Sequence, residues 1–249
     1  MRFSGNTILL TGGGAGIGRA LAEVFHQRGN DVIIAGRRAE ALNDVVAANP
    51  GLQAVVLDVS DASAIDIAVP KLLAAYPALN VVVNNAGIMY DDDVSRPLNE
   101  SLLTSTIATN LLGPLRLNSA LLDHLRQQPT AIIVNVSSMT GYAPLATSAI
   151  YSMTKAALHS YTMSLRYRPR GSSVTVVEVA PPYMQTGLQK RNTTDPRAMP
   201  LSQYISETMD VLATDEVQAL VERAKALADA QRPDEVAAVE KFNDVFHGA

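Results

Sequence analysis

Three side chains in the stretch SSMTGYAPLATSAIYSMTK, residues 137–155, have the types and spacing of a proton-transfer site: Ser138, Tyr151 and Lys155. Tyr151 and Lys155 are four residues apart, so on a helix they share one face. An ammonium group beside a phenol favours the phenolate and lowers the phenol pKa from about 10. Tyr151 would then be a usable general acid and base near neutral pH. Ser138 ends a predicted strand, where its hydroxyl could hold a carbonyl or an alcohol against the phenol.

A tyrosine and a lysine four residues apart are common on helix surfaces, so this spacing alone does not indicate a site. A glycine-rich loop near the N-terminus provides the second signal. The loop GGGAGIG, residues 12–18, follows the apolar run NTILLT and leads into a segment with helical spacing. A strand, a glycine loop and a helix in that order can bind a dinucleotide, since the diphosphate approaches the backbone closely at the helix N-terminus. We predict cofactor contacts by Gly12, Gly16, Ile17 and Gly18.

The end of the second predicted strand, DVIIAG, bears on which dinucleotide binds. Enzymes that use NAD often place an acidic residue there for the ribose 2′-hydroxyl. This chain has Arg37 and Arg38 instead, and a guanidinium matches a phosphate with paired donors. We therefore predict a preference for NADP(H), with NAD(H) possible. The alternative, that both arginines are solvated residues at a helix start, stays open.

Strand and helix patterns alternate along the chain. Near-continuous apolar runs predict six strands, at 6–11, 31–36, 52–60, 80–87, 130–138 and 172–182, and a long helix is predicted over 100–128. Such strands are typical of a parallel sheet buried on both faces. The predicted fold class is α/β, a single-domain Rossmann fold with a doubly wound parallel sheet over residues 1–249. A substrate-cap segment is expected at about 183–212 and a helical C-terminal end at about 214–247.

Composition excludes several other classes of protein. The chain has no cysteine and only four histidines, with no H-E-x-x-H spacing, so we expect no metal site. A net charge of −4 without a basic stripe argues against nucleic acid as a partner. No apolar run approaches the ~18 residues of a membrane span, and the N-terminus does not read as a signal peptide. We expect a cytoplasmic protein that acts on a small molecule and does not bind membranes.

The motifs TGGGAGIG, LDVS, NNAG, NVSS, YSMTK and APPYMQT, with Asn110 between them, resemble in content and order those of the classical short-chain dehydrogenases/reductases. The resemblance covers roughly residues 5–190. It implies an oxidoreductase that transfers a hydride between nicotinamide and a carbonyl or secondary alcohol. Tyr151 would be the general acid/base, Ser138 would orient the substrate, and Lys155 would bind the nicotinamide ribose and tune Tyr151. Further implied cofactor contacts are Asp58, Val59, Asn85, Ala86, Gly87, Pro181, Met184 and Thr186.

The resemblance implies that Asn110 holds a water that passes protons to Lys155. A separate physical argument also singles out Asn110. Pro114 follows it by four residues and has no N–H, so the helical hydrogen bond to the Asn110 carbonyl cannot form. Our hypothesis is that Pro114, aided by Gly113, keeps Asn110 available for this water. We therefore place Asn110 with the catalytic residues.

The chain departs from the family at two places. Pro181-Pro182 stands where the family usually has Pro-Gly, which puts the Thr186 contact in doubt. At the C-terminal end, apolar residues recur at helical spacing, so helices are expected to replace the family's seventh strand. Because that strand commonly forms one interface of family tetramers, its loss favours a homodimer over a tetramer.

The cap segment should supply the substrate pocket, since loops beyond the strand ends carry specificity. Its candidates suit a substrate with an apolar body, although each could instead fill the core: Tyr183, Met184, Leu188, Met199, Leu201 and Tyr204, with Met139, Tyr142 and Tyr90. The run DDD at 91–93 is expected to be a solvated loop. The main alternative function is a cofactor-binding sensor or scaffold without turnover. A serine hydrolase is remote, because G-x-S-x-G is missing.

Overall fold

The computed structural model describes residues 4–167, 172–189, 193–229 and Val245. Its centre is a parallel sheet in the order β3-β2-β1-β4-β5-β6-β7. The strands are β1 (Thr7–Thr11), β2 (Asp31–Gly36), β3 (Gln53–Val56), β4 (Leu79–Asn84), β5 (Ala131–Val136), β6 (Val174–Val179) and β7 (Gln218–Ala219). Strand order reverses between β1 and β4, so a crevice opens there above the carboxyl ends of the strands. The predicted α/β doubly wound sheet is confirmed.

Helices cover both faces of this sheet. They are α1 (Gly16–Gln27), α2 (Ala39–Ala48), α3 (Ala62–Ala75), α4 (Glu100–Ile107), α5 (Gly113–Gln127), α6 (Ala149–Tyr167), α7 (Leu201–Leu212) and α8 (Glu222–Asp229). Side chains of a strand alternate between the two faces. Ile8 and Leu10 of β1 accordingly pack with α1, α2 and α7, whereas Leu9 packs with α3 and α5. Among the described residues, no helix has the length and apolarity to cross a membrane.

The expectation of six strands is wrong, because the sheet has a seventh. Gln218 and Ala219 pair in parallel with Glu178 and Val179 of β6. A short apolar run reads alike as a buried strand or a helix, so spacing alone misassigned this one. α8 begins only at Glu222, and the rest of the predicted helical end lies outside the described residues, Val245 excepted. The strand also removes the reason for preferring a dimer over a tetramer.

The predicted long helix over 100–128 is interrupted by a π-helical turn, Ala108–Leu112, between α4 and α5. The amide of Gly113 closes this turn on the carbonyl of Ala108. Pro114 follows, and it has no N–H with which to continue a regular helix. Gly113 also packs closely on the loop after β3, since a Cβ there would lie 2.8 Å from the Val59 carbonyl oxygen. Single π turns of this kind are frequent at functional sites.

Candidate active site

A cleft of about 640 Å³ opens at the carboxyl ends of the central strands. It runs from the glycine loop and the end of β2 to the end of β5 and the first turns of α6. The structure brings the predicted site residues together along it: Gly12, Gly16, Ile17, Gly18, Arg37, Arg38, Asp58, Val59, Asn85, Ala86, Gly87, Ser138, Tyr151, Lys155, Pro181, Met184 and Thr186. Asn110 is completely buried and is not part of the lining.

The glycine loop is held against the loop after β4. Gly12 has φ +72°, and a Cβ there would lie 2.8 Å from Nδ2 of Asn85, so the position requires glycine. Nδ2 of Asn85 donates to the Thr11 carbonyl at 2.9 Å. Oγ1 of Thr11 accepts from the amides of Asn85 and Ala86 at 3.0 and 3.1 Å. Asn85 therefore lines the cleft and also fixes the loop that would receive the diphosphate.

The N-terminus of α1 is open toward the cleft. Its N-cap residue, Ala15, provides no side-chain hydrogen bond, and the first turn has no acidic residue. The amides at a helix start need acceptors, and the helix dipole favours a negative one. This end of the cleft therefore fits a phosphate group.

Both arginines predicted to read the cofactor lie at the end of β2. Arg38 is the N-cap residue of α2. Nη1 of Arg37 lies 3.8 Å from Oδ2 of Asp58, and 55% and 38% of these two side chains are exposed. An exposed pair of this kind contributes little to stability. Two guanidinium groups and one carboxylate therefore face the end of the cleft farthest from Tyr151.

The three residues with which the sequence analysis began meet at the other end of the cleft. Ser138 follows β5, and Tyr151 and Lys155 project from the first turns of α6. All three are buried, with 6%, 7% and 3% of their surface exposed. Nζ of Lys155 lies 5.6 Å from the centroid of the Tyr151 ring and donates to the Val136 carbonyl at 2.8 Å. The Ser138 hydroxyl accepts from the Thr140 amide at 3.2 Å and is near enough to the Tyr151 phenol to lower its pKa.

The ionisation of this group differs from the sequence-based expectation. Burial raises the pKa of Tyr151 to about 12, although the hydrogen bond with Ser138 opposes the rise. Burial also lowers the pKa of Lys155 to about 8. The expected lowering of the phenol pKa by Lys155 is wrong for the protein's own residues, because desolvation of the phenolate outweighs the nearby ammonium. At neutral pH the phenol keeps its proton and is a proton donor.

Comparison with known proteins agrees with this arrangement. Residues 6–197 match the family model described as short chain dehydrogenase. The chain belongs to the short-chain dehydrogenase family. It is therefore an oxidoreductase with a nucleotide-binding Rossmann fold.

Among relatives, the chain is 36% identical over 248 residues to the uncharacterized oxidoreductase DltE of Bacillus subtilis, with 98% of each chain covered. It is 32% identical over 206 residues to the 3-oxoacyl-[acyl-carrier-protein] reductase FabG of Escherichia coli, covering 82% of this chain and 83% of FabG. The crystal structure of a short-chain dehydrogenase from Streptomyces avermitilis superposes with a TM-score of 0.83 at 28% identity, covering 99% of this chain and 98% of the other.

Asn110 of this dehydrogenase uses its side chain to join two elements of the site. Oδ1 accepts from the Ile88 amide and Nδ2 donates to the Ile88 carbonyl, both at 2.8 Å. Nδ2 also lies 3.3 Å from Oγ1 of Thr154 on α6. The side chain thus ties the loop after β4 to α6. A proton-relay water would have to use the main-chain carbonyl, which Pro114 cannot engage.

Asp92 is a functional residue that the sequence analysis missed. Its two carboxylate oxygens accept from the amides of Ala149 and Ile150, each at 2.9 Å. Its own amide donates to the Thr147 carbonyl at 3.0 Å. Asp92 therefore caps the N-terminus of α6, immediately before Tyr151. The expected solvated DDD loop is found at Asp91 and Asp93, which are exposed, whereas Asp92 is half-buried. No local pattern could have revealed a cap supplied from 57 residues away.

The substrate end of the cleft is mostly apolar. Met139, Tyr90, Tyr183, Met184 and Leu188 line it as predicted. The other candidates do not line the cleft: Met199, Leu201, Tyr204 and Tyr142. Met199 and Tyr204 are buried in the hydrophobic core that also includes residues of α1 and α7. Met89 and Leu145, which the sequence analysis did not single out, complete the lining. Leu227 of α8 packs behind Met139 and Leu145 and so supports this wall.

Proposed function

We propose that the protein is an NADP(H)-dependent carbonyl reductase or alcohol dehydrogenase. The observation that carries this proposal is the buried contact of Ser138, Tyr151 and Lys155 at one end of a cleft whose other end has the features of a dinucleotide site. The open N-terminus of α1 and the close approach at Gly12 fit the diphosphate of the cofactor. When bound, the nicotinamide supplies or accepts the hydride.

In this mechanism the chain's residues handle the carbonyl oxygen. Ser138 orients that oxygen with its hydroxyl. Tyr151 donates its proton to the oxygen during reduction, for which its raised pKa of about 12 is suited, because the phenol is fully protonated at neutral pH. Lys155 holds the nicotinamide ribose. In the oxidative direction, Tyr151 would accept the alcohol proton as the phenolate, the form that the Lys155 ammonium and the positive charge of a bound oxidised cofactor would favour.

The preference for NADP(H) rests on Arg37 and Arg38. Both side chains line the cleft at the end of β2, where a ribose 2′-phosphate would lie. Asp58 is the nearest carboxylate to Arg37, at 3.8 Å, and its Oδ1 already accepts from the amide and hydroxyl of Ser60 at 2.9 and 2.6 Å. Two guanidinium groups beside one carboxylate leave a net positive charge at this end of the cleft. This charge favours a phosphate over a hydroxyl.

The apolar lining around Ser138 and Tyr151 supports a ketone or secondary alcohol with an apolar body as substrate. Met89, Met139 and Tyr183 belong to one apolar cluster. Flexible methionine side chains adapt to irregular apolar shapes. We propose a substrate whose carbonyl reaches Ser138 while its apolar part contacts this cluster.

We also propose that the protein is a homodimer. α6 leaves Met153, Met163 and Tyr167 exposed, and at 100° per residue the three fall on one side of the helix. Exposed apolar side chains grouped in this way are suited to pairing with a second copy. Light scattering should give about 53 kDa, twice the chain mass of 26.5 kDa.

The test of the proposed function is titration with NADPH and NADH, followed by a panel of ketones monitored at the nicotinamide absorbance. We expect tighter binding of NADPH and oxidation of NADPH with some ketones. Tyr151→Phe should bind NADPH as the native protein does and lose turnover by at least about a hundredfold, since it lacks the transferred proton. Failure of both nucleotides to bind would overturn the site assignment. Equal turnover by Tyr151→Phe would require a different proton donor, whereas nucleotide binding without turnover of any ketone would favour a non-catalytic, cofactor-binding role.

A further inference from the structure

A buried carboxylate lies behind the active site without lining the cleft. Glu178 is in β6, and none of its surface is exposed. Oε1 accepts from the Ser137 hydroxyl at 2.5 Å, and Oε2 lies 2.8 Å from Nδ1 of His159. Nε2 of Gln218 lies 3.4 Å from Oε2 and 3.4 Å from the Tyr142 hydroxyl, so Gln218 links this phenol to the carboxylate. An ionised carboxylate is costly to bury unless it is paired and hydrogen-bonded in this way.

Three of these residues belong to the elements that carry the predicted catalytic groups. Ser137 immediately precedes Ser138, and Tyr142 follows the short 3-10 turn Met139–Gly141 after it. His159 lies one helical turn beyond Lys155 on α6. The rings of Tyr142 and His159 also pack together, with their centroids 4.6 Å apart. Glu178 is thus bonded to the residue before Ser138 and to the helix that contains Tyr151 and Lys155, and Gln218 links it to Tyr142 at the far end of the turn.

The charges around Glu178 keep this arrangement ionised. Burial alone would raise the pKa of Glu178, but hydrogen bonds from His159, Ser137 and Tyr142 and the charge of His159 hold it below its usual value. Burial and the same carboxylate raise the pKa of Tyr142, so this phenol remains a donor. Arg166, which donates to the Val217 carbonyl at 2.8 Å, is the other charged group that Glu178 influences. The carboxylate of Glu178 therefore stays ionised at neutral pH and continues to accept these hydrogen bonds.

We propose that Glu178 is a positioning residue that holds the Ser138 turn in register with Tyr151 and Lys155. The inference rests on the proposed function, in which Ser138 and Tyr151 act on the same oxygen atom. A displacement of about 1 Å between such groups lowers the rate by about a hundredfold. A backbone hydrogen bond also helps to hold the turn in place, because the Met139 amide donates to the Pro181 carbonyl at 2.9 Å.

The experiment compares three variants with the native protein. Ser137→Ala combined with Tyr142→Phe removes the hydrogen bond from Ser137 to Glu178 and the link from Tyr142 through Gln218, and leaves the bond to His159. Glu178→Gln keeps the side-chain length but has only one acceptor oxygen. It is the variant to measure if the double variant does not fold. Tyr204→Phe is the matched control, because it also removes a buried phenol hydroxyl, outside both the cleft and this cluster.

Two readouts separate positioning from a general effect on stability. Hydrogen exchange at the amides of residues 138–142 should become at least tenfold faster in the double variant, and should not change in Tyr204→Phe. The kcat for ketone reduction should fall at least tenfold in the double variant, with less change in Glu178→Gln, while the Kd for NADPH stays within about twofold. A purely structural role would lower stability without this split between turnover and cofactor binding.

The proposal is overturned if exchange in the turn is unchanged, or if kcat stays within twofold of that of Tyr204→Phe. If the native protein turns over no ketone, the proposed function fails by itself. Hydrogen exchange then still decides whether Glu178 holds the turn, so the two failures are distinguishable.

Discussion

Replacement of Asp92 by alanine tests how the active-site helix is held at its N-terminus. The carboxylate accepts from two amides of α6 at 2.9 Å each. Loss of a capping side chain costs about 1 kcal/mol, within a range of about 0.5–2, and loss of the charge at the helix dipole adds about 0.3–1 kcal/mol. With two amides affected, we expect a loss of about 1–3 kcal/mol in the free energy of unfolding. For a domain of this size, each kcal/mol lowers Tm by about 2–4 °C.

Thermal and urea denaturation measure the effect, with Asp93→Ala as the matched control. Asp93 is adjacent and carries the same charge, but its carboxylate bonds to Ser95 and Arg96 within its own loop. Asp92→Asn, which keeps one acceptor oxygen, should fall between the two alanine variants. The reasoning is refuted if Asp92→Ala and Asp93→Ala melt at the same temperature.

Two further predictions concern the charges in the cleft. Arg37→Asp should shift the ratio of NADPH to NADH affinity by at least about tenfold toward NADH, since each charge-assisted hydrogen bond contributes about 1.5–3 kcal/mol; an unchanged ratio in fluorescence titrations would remove Arg37 from cofactor selection. Burial lowers the pKa of Lys155 from 10.5 to about 8, so the penalty for its buried charge is fully present below pH 8 and disappears as pH rises to 10.5. Relative to Lys155→Met, the native protein should gain about 3 kcal/mol of unfolding free energy between these pH values, and parallel stability curves would contradict this.

Features set by neighbouring residues could be predicted from the sequence. The glycine loop, the arginines after β2 and the pairing of Tyr151 with Lys155 each depend on spacing within one strand, turn or helix. The alternation of apolar runs with helical patterns was enough to predict the doubly wound sheet. Such patterns report local geometry directly. The glycine loop, the two arginines, Tyr151 and Lys155 therefore line the cleft as expected.

Features set by distant residues could not be predicted. The two residues of β7 pair with β6 through partners that no local pattern identifies, and Asp92 caps a helix that begins 57 residues later. The direction of the Tyr151 pKa shift was wrong for a related reason. The sequence shows the neighbouring lysine, but only the packed structure shows that the phenol is buried, and burial is the larger effect.

The π turn at Ala108–Leu112 lets this part of the chain hold one residue more than a regular helix needs. A π turn contains one more residue than an α-helical turn, but both complete about one revolution, so deletion of one residue there would allow a continuous helix from α4 to α5. Leu117, Leu121 and Leu125 would still face the sheet that they now pack against. The deletion would instead change the backbone at Asn110, whose side chain bonds to Ile88 and Thr154. One residue removed at the turn should therefore disturb the site and leave the core packed, whereas a one-residue deletion within α5 would turn the residues beyond it by about 100°.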